Sequence, residues 1–211
     1  MDKTTINIII NKLGKLYDVS GYSNRGDPFE ILVGTVLSQR TKDEVTWSRN
    51  KKLMEKANTP EKMLKLTEEE IAKAIYPVGF YNQKAKKIKQ LSKILVEEYG
   101  GKVPKNREEL MSLPGVGGKT ADCTLCYAFD EQVIPVDIHV EIMSKRVGIS
   151  GWKDRPEVVR EKLHGLFPPD KRNLVNALFV EHGKKVCTTR KAYCGNCVVA
   201  SHCPKILGER V

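Results

Sequence analysis

The residues best placed to do chemistry are a lysine in a glycine turn, an aspartate further along and four cysteines near the end of the chain. Lys119 closes the turn in Leu113-Pro-Gly-Val-Gly-Gly-Lys-Thr-Ala121. Pro114 fixes one backbone angle, while Gly115, Gly117 and Gly118 around Val116 permit tight or left-handed conformations and leave N–H groups uncovered. The stretch that follows, Thr120 to Ala128, reads as a helix, so the turn lies at a helix N-terminus, where free N–H groups and the dipole favour phosphate. Lysine is out of place there, because a cation in the first turn of a helix costs roughly 0.3–1 kcal/mol. An amine nucleophile must be unprotonated, and that repulsion is too small to achieve it alone, so the chemistry asks for a lysine partly buried in a cleft. The plainer reading is a surface lysine that contacts a phosphate. A nucleotide-binding P-loop is excluded, since GxxxxGK[ST] is not met and no parallel-sheet pattern precedes the turn.

Cys187, Cys194, Cys197 and Cys203 form C-x6-C-x2-C-x5-C in a tail too short to build a core of its own. Four thiolates so close can converge on one inorganic centre, and the ligand type fits tetrahedral zinc and an iron–sulfur cluster equally well. Arg190 and Lys191 lie in the loop between the first two cysteines, where a pinned loop could hold them toward a phosphate; otherwise they are solvated charges. Cys123 and Cys126, at i and i+3 in an expected helix, read as core. The four histidines show no metal-ligand spacing. Asp137 stands directly before a helix, where N-capping is the ordinary role of an aspartate and a catalytic carboxylate the other.

The 211 residues carry 36 Lys+Arg against 26 Asp+Glu, a net charge of +10, so a polyanionic partner is expected, with DNA, RNA and membrane surface undistinguished by charge alone. With no apolar run long enough to span a membrane and no secretory signal, a soluble intracellular protein is expected, in which clustered cysteines favour metal over disulfides.

The elements that must position these residues are helices. Residues 4–17 place Ile6, Ile9, Ile10, Leu13, Leu16 and Tyr17 at helical spacing. A polar loop follows at 18–27. Asp27-Pro-Phe-Glu30 then starts an apolar, central helix from Pro28 to about Leu37. Capping-box signatures recur at Thr41–Glu44, Thr67–Glu70 and Asn106–Glu109, and Thr59-Pro60 marks another start. A longer helix, 82–99, buries Ala85, Ile88, Leu91, Ile94 and Leu95, leaves its lysines to solvent and stops at Gly100-Gly101. Gln132–Val136 is extended, a helix spans 138–147 up to Gly148, and Pro156 and Asp170 begin two more, the last ending at Gly183. Nothing alternates with period two for long, so the fold class is all-α.

Taken together, LPGVGGKTA, the Val-Asp-Ile-His-Val segment around Asp137 and the four-cysteine tail closely resemble the helix-hairpin-helix base-excision DNA glycosylases of the endonuclease III type. The similarity covers nearly the whole chain, including Asp27–Glu30 and Gly79-Phe-Tyr-Asn-x-Lys-Ala85. The resemblance implies a two-domain helical protein with its active site in the interdomain cleft. One domain, 20–131, would be the six-helix barrel with the hairpin; the other would join 1–19 and 132–211 around a [4Fe-4S] cluster on the four cysteines. It also implies a monomer in the cytoplasm or nucleoid acting on double-stranded DNA with damaged bases or abasic sites. Lys119 matches the amine nucleophile and Asp137 the assisting carboxylate of a glycosylase with AP lyase activity, for which oxidised pyrimidines are the default substrate and mismatched thymine or uracil the alternative. Relatives that only remove the base have another residue where Lys119 stands. Phe80 matches an apolar wedge, and its other reading is a core aromatic. Arg40 aligns with a residue, usually glutamine, that fills the vacated base stack, with Gln39 alongside as an equal candidate. The turn residues 115–118 and His139 complete the DNA contacts the resemblance implies, and Gly118 departs from the larger, often basic, residue common there.

Overall fold

The protein, seen as a computed structural model, is described over residues 1–20 and 26–207. The expected loop at 18–27 therefore lies partly outside the described residues. Eleven α-helices account for nearly all regular structure among the described residues, and the one β contact is an isolated bridge between Cys187 and Ala192. Among the described residues no helix is long and apolar enough to cross a membrane.

The chain divides into two compact units, Met1–Ser23 with Asp130–Val211, and Asn24–Phe129. The second unit holds α2 (Pro28–Ser38), α3 (Asp43–Lys56), α4 (Pro60–Lys65), α5 (Glu68–Ile75), α6 (Tyr81–Tyr99), α7 (Arg107–Ser112) and α8 (Gly118–Phe129). Helix α2 is the hub: Ile31, Leu32, Val33, Val36 and Leu37 are all buried, and α8, α3 and α6 pack on it. Its start is fixed as the sequence indicates, with Pro28 in the first turn and the Asp27 carboxylate accepting from the N–H groups of Phe29 and Glu30. Thr67 and Glu70 form a reciprocal capping box, Thr59 caps α4 and Asn106 caps α7.

The signature at Thr41 is a false one. Helix α3 starts after Lys42, without a side-chain cap, because the Thr41 hydroxyl is engaged elsewhere, accepting from the Gly79 N–H and the Lys84 ammonium. The lysine side of α6 also needs correction, since Lys84 is 5% exposed. Positions 84, 88, 91 and 95 share one helical stripe, so this lysine stands in line with Ile88, Leu91 and Leu95 rather than opposite them.

The first unit comprises α1 (Lys3–Leu16), α9 (Ile138–Arg146), α10 (Pro156–Leu166), α11 (Pro169–Lys185) and the cysteine tail. Ile6, Ile9 and Leu13 of α1 meet Val140, Met143, Leu163, Val175, Leu178 and Phe179 in one core. The extended segment before α9 is tied down at its backbone, the Ile134 N–H donating to His164 Nε2 and Asn176 Nδ2 donating to the Pro135 carbonyl. Helix α11 does not stop at Gly183 but runs through it to Lys185. That glycine is a contact point rather than a terminator, for a Cβ there would sit 2.8 Å from the His139 Cβ.

Candidate active site and cysteine centre

In the second unit, α7, the glycine turn and α8 form a helical hairpin. Leu113 and Val116 are buried and anchor the turn, with the Val116 N–H donating to the Leu113 carbonyl. Of the three glycines only Gly115 is left-handed, with φ of 86°; Gly117 is exposed and has open space where a side chain would go. The hairpin is locked by Arg107, whose Nε lies 3.0 Å from the carboxylate of buried Asp122. Gly118 opens α8, and Lys119, next in that first turn, is exposed. The partly buried lysine asked for by the sequence argument is thus absent. Thr120 and Ala121 take the inward positions of the turn, which directs Lys119 to the surface.

Gln39, Arg40 and Phe80 gather around the same hairpin. Gln39 Nε2 donates to the Gly115 carbonyl at 2.8 Å and to Thr120 Oγ1 at 3.3 Å, so this side chain is already bound to the turn. Arg40 and Phe80 are both exposed and both left-handed, with φ of 53° and 57°, and the guanidinium lies 5.7 Å from the ring centroid. A bulky aromatic in that backbone region is strained. At 53% exposure the ring gains little from burial to offset this, and the core-aromatic reading fails.

In the first unit, Asp137 caps α9, one carboxylate oxygen accepting from the His139 and Val140 N–H groups at 2.9 Å each. Its second oxygen carries no such cap bond. His139 packs on Gly183 with its Nδ1 buried and without a hydrogen-bond partner.

Cys187, Cys194, Cys197 and Cys203 line one apolar pocket with Met143, Val199 and His182. All four are free. Among the described residues no three or more His, Cys, Asp or Glu are grouped so as to hold a single metal ion. Burial, and then the charges of the neighbouring cysteines, push the Cys197 and Cys203 thiols up. Each thiolate opposes the next, and a cationic inorganic centre is what would relieve that opposition, so the donor set fits one. Two residues the sequence did not single out serve this pocket. Arg146, 5% exposed, donates to the Cys187 and Thr188 carbonyls at 3.1 and 2.6 Å, with Cys187 Sγ at 3.5 Å. His182, fully inside, is kept neutral by burial, which lowers its pKa to about 4. Its ring bridges Tyr17 Oη, 3.0 Å from Nδ1, and Cys197 Sγ, 3.4 Å from Nε2. Arg190 and Lys191 are exposed on the loop between Cys187 and Cys194, which is closed by Thr188 through its hydroxyl and Lys191. No pattern in the sequence marks Arg146 or His182, because each is defined by what lies across the fold from it.

Helical hairpin, strained exposed aromatic and four-cysteine pocket together define a helix-hairpin-helix DNA repair fold. Residues 33–169 match the HhH-GPD superfamily of base excision DNA repair proteins, and the chain belongs to that family. It is 44% identical over 179 residues to an endonuclease III from Thermotoga maritima, across 84% of this chain and 83% of the relative. A trapped endonuclease III–DNA covalent intermediate superposes with a TM-score of 0.90 at 32% identity, covering 97% of both chains. A thermostable thymine-DNA glycosylase superposes with a TM-score of 0.85 at 26% identity, covering 96% of both.

Proposed function

We propose that this protein is a bifunctional base-excision enzyme, a DNA glycosylase with AP lyase activity that removes oxidised pyrimidines from duplex DNA. The observation that carries the reading is Lys119 at the head of α8, exposed beside a glycine turn suited to a phosphate. An amine open to solvent becomes a nucleophile if bound DNA supplies the shelter the protein does not, by excluding water as the lesion is extruded. Lys119 Nζ then attacks the sugar C1′ as the damaged base leaves, and a Schiff base forms. β-Elimination cuts the strand on the 3′ side. The Asp137 carboxylate assists, stabilising positive charge on the sugar and handling the lysine proton. With Gln39 bound to the hairpin, Arg40 is the better candidate to fill the vacated stack, and Phe80 the wedge.

The four cysteines would hold a [4Fe-4S] cluster, which supplies structural cross-linking to a tail with little core of its own. The preparation is expected to be brown with broad visible absorption; a colourless, zinc-containing protein would count against the cluster. The decisive test of the enzyme reading is borohydride trapping on a panel of single-lesion duplexes. Wild type should be trapped covalently and Lys119→Gln should not; equal trapping of both would remove Lys119 as the nucleophile. A second reading, a mismatch thymine or uracil glycosylase, is favoured by the likeness to the thermostable thymine-DNA glycosylase. It predicts base release with no nick until alkali is added.

A further inference from the structure

Lys84 is the one buried lysine of α6, and its ammonium gathers three acceptors that belong to another part of the second unit: the Leu37 carbonyl at 2.8 Å, the Gln39 carbonyl at 2.5 Å and Thr41 Oγ1 at 3.2 Å. The first two are carbonyls at the C-terminal end of α2, which has no basic residue in its own last turn. A cation placed there satisfies orphan carbonyls and meets the negative end of the helix dipole. Thr41 completes the linkage, donating to the Gln39 carbonyl and accepting from the Gly79 N–H at 3.1 Å. Gly79 in turn lies so close to the Arg40 carbonyl that a Cβ would meet it at 2.7 Å. The chain on either side of this knot carries Arg40 and Phe80, the two exposed left-handed residues whose side chains stack.

We propose that Lys84 is a positioning residue for opening the duplex: by tying the end of α2 to the start of α6 it holds Arg40 and Phe80 as a pre-set pair that enters the DNA at the lesion. This rests on the reading of those two residues as plug and wedge. Two strained backbone conformations at exposed sites need a neighbour that over-determines them, and the Lys84–Thr41 linkage is the polar contact that spans both. Burial lowers the lysine's pKa to about 8, with repulsion from Lys87 adding to it, so the site tolerates a costly cation for the sake of its hydrogen bonds. Lys84 touches no reacting atom in this scheme; it acts through the two loops.

The test compares Lys84→Met and Thr41→Val with wild type in the full chain, on two substrates. One is a duplex with a paired oxidised pyrimidine flanked by 2-aminopurine, whose fluorescence reports loss of stacking. The other is a duplex with a preformed abasic site, which has no base to displace. Lys84→Met, which removes all three of these hydrogen bonds, should lower both the fluorescence rise and the single-turnover excision rate about tenfold or more and leave cleavage at the abasic site within about twofold. Thr41→Val, which keeps the lysine, should show the same split at about threefold. Equal losses on both substrates, or no loss in a folded variant, would overturn the proposal; if Lys84→Met does not fold, Thr41→Val decides alone. Failure of the underlying functional reading looks different, because wild type would then excise no lesion at all.

Discussion

Asp137 caps α9, and under the proposed function the same carboxylate would also assist the chemistry. One oxygen accepts from the His139 and Val140 N–H groups, and the other takes no part in the cap. The two roles separate by substitution. Asparagine caps as well as aspartate, so Asp137→Asn should leave the thermal midpoint nearly unchanged, whereas Asp137→Ala should cost about 1 kcal/mol. If the charge does the chemistry, both variants should lose base excision by on the order of 10²-fold or more. Calorimetry and single-turnover kinetics on the same samples check this, and an active Asp137→Asn would reduce the residue to a helix cap. Lys119 makes the complementary point. Its position was readable from the glycine turn, but its exposure was not, because burial is not a property of local sequence.

At the scale of helices, starts were more legible than stops and than contacts. Asp27-Pro28, Thr59-Pro60, Thr67 and Asn106 announce helices because a cap is a local hydrogen bond between neighbours in sequence. Thr41 carries the same signature and fails, since its hydroxyl is claimed by Gly79 and Lys84 from outside the local chain. Lys84 itself followed the apolar stripe of α6, yet its charge argued for solvent; only the carbonyl end of α2 explains its burial. Gly183 misled in the opposite direction, a glycine that reads as a stop and is used for close approach by α9 on α11. That contact predicts its own test. In Gly183→Ala the new methyl must displace the first turn of α9 at His139, at a cost of about 1–3 kcal/mol. Urea denaturation should show that loss. Because the displaced turn is the one Asp137 caps, excision should fall with it, while unspecific binding to undamaged duplex should not change.

For the molecule as a whole, charge is expected to decide how DNA is held. The chain carries +10, and a [4Fe-4S] core on four thiolates would add about −2, leaving about +8, still a strongly basic body. The expected contacts, the hairpin turn and the Arg190–Lys191 loop with Arg40 between bases, are mostly to phosphate, and phosphate contacts release counterions without reading sequence. Binding to a lesion duplex should therefore weaken by about 10³-fold as salt rises from about 50 to 200 mM, the response of a protein touching about six phosphates. Replacing Arg190 and Lys191 together by alanine should reduce the salt slope by about two if each meets one phosphate, and should weaken damaged and undamaged duplexes alike. Fluorescence anisotropy across a salt series measures both. A slope unchanged by the double substitution would return those two side chains to solvent, and a flat response in the wild type would mean that the hairpin turn does not grip the backbone and that Lys119 reaches its sugar by some other mode of docking.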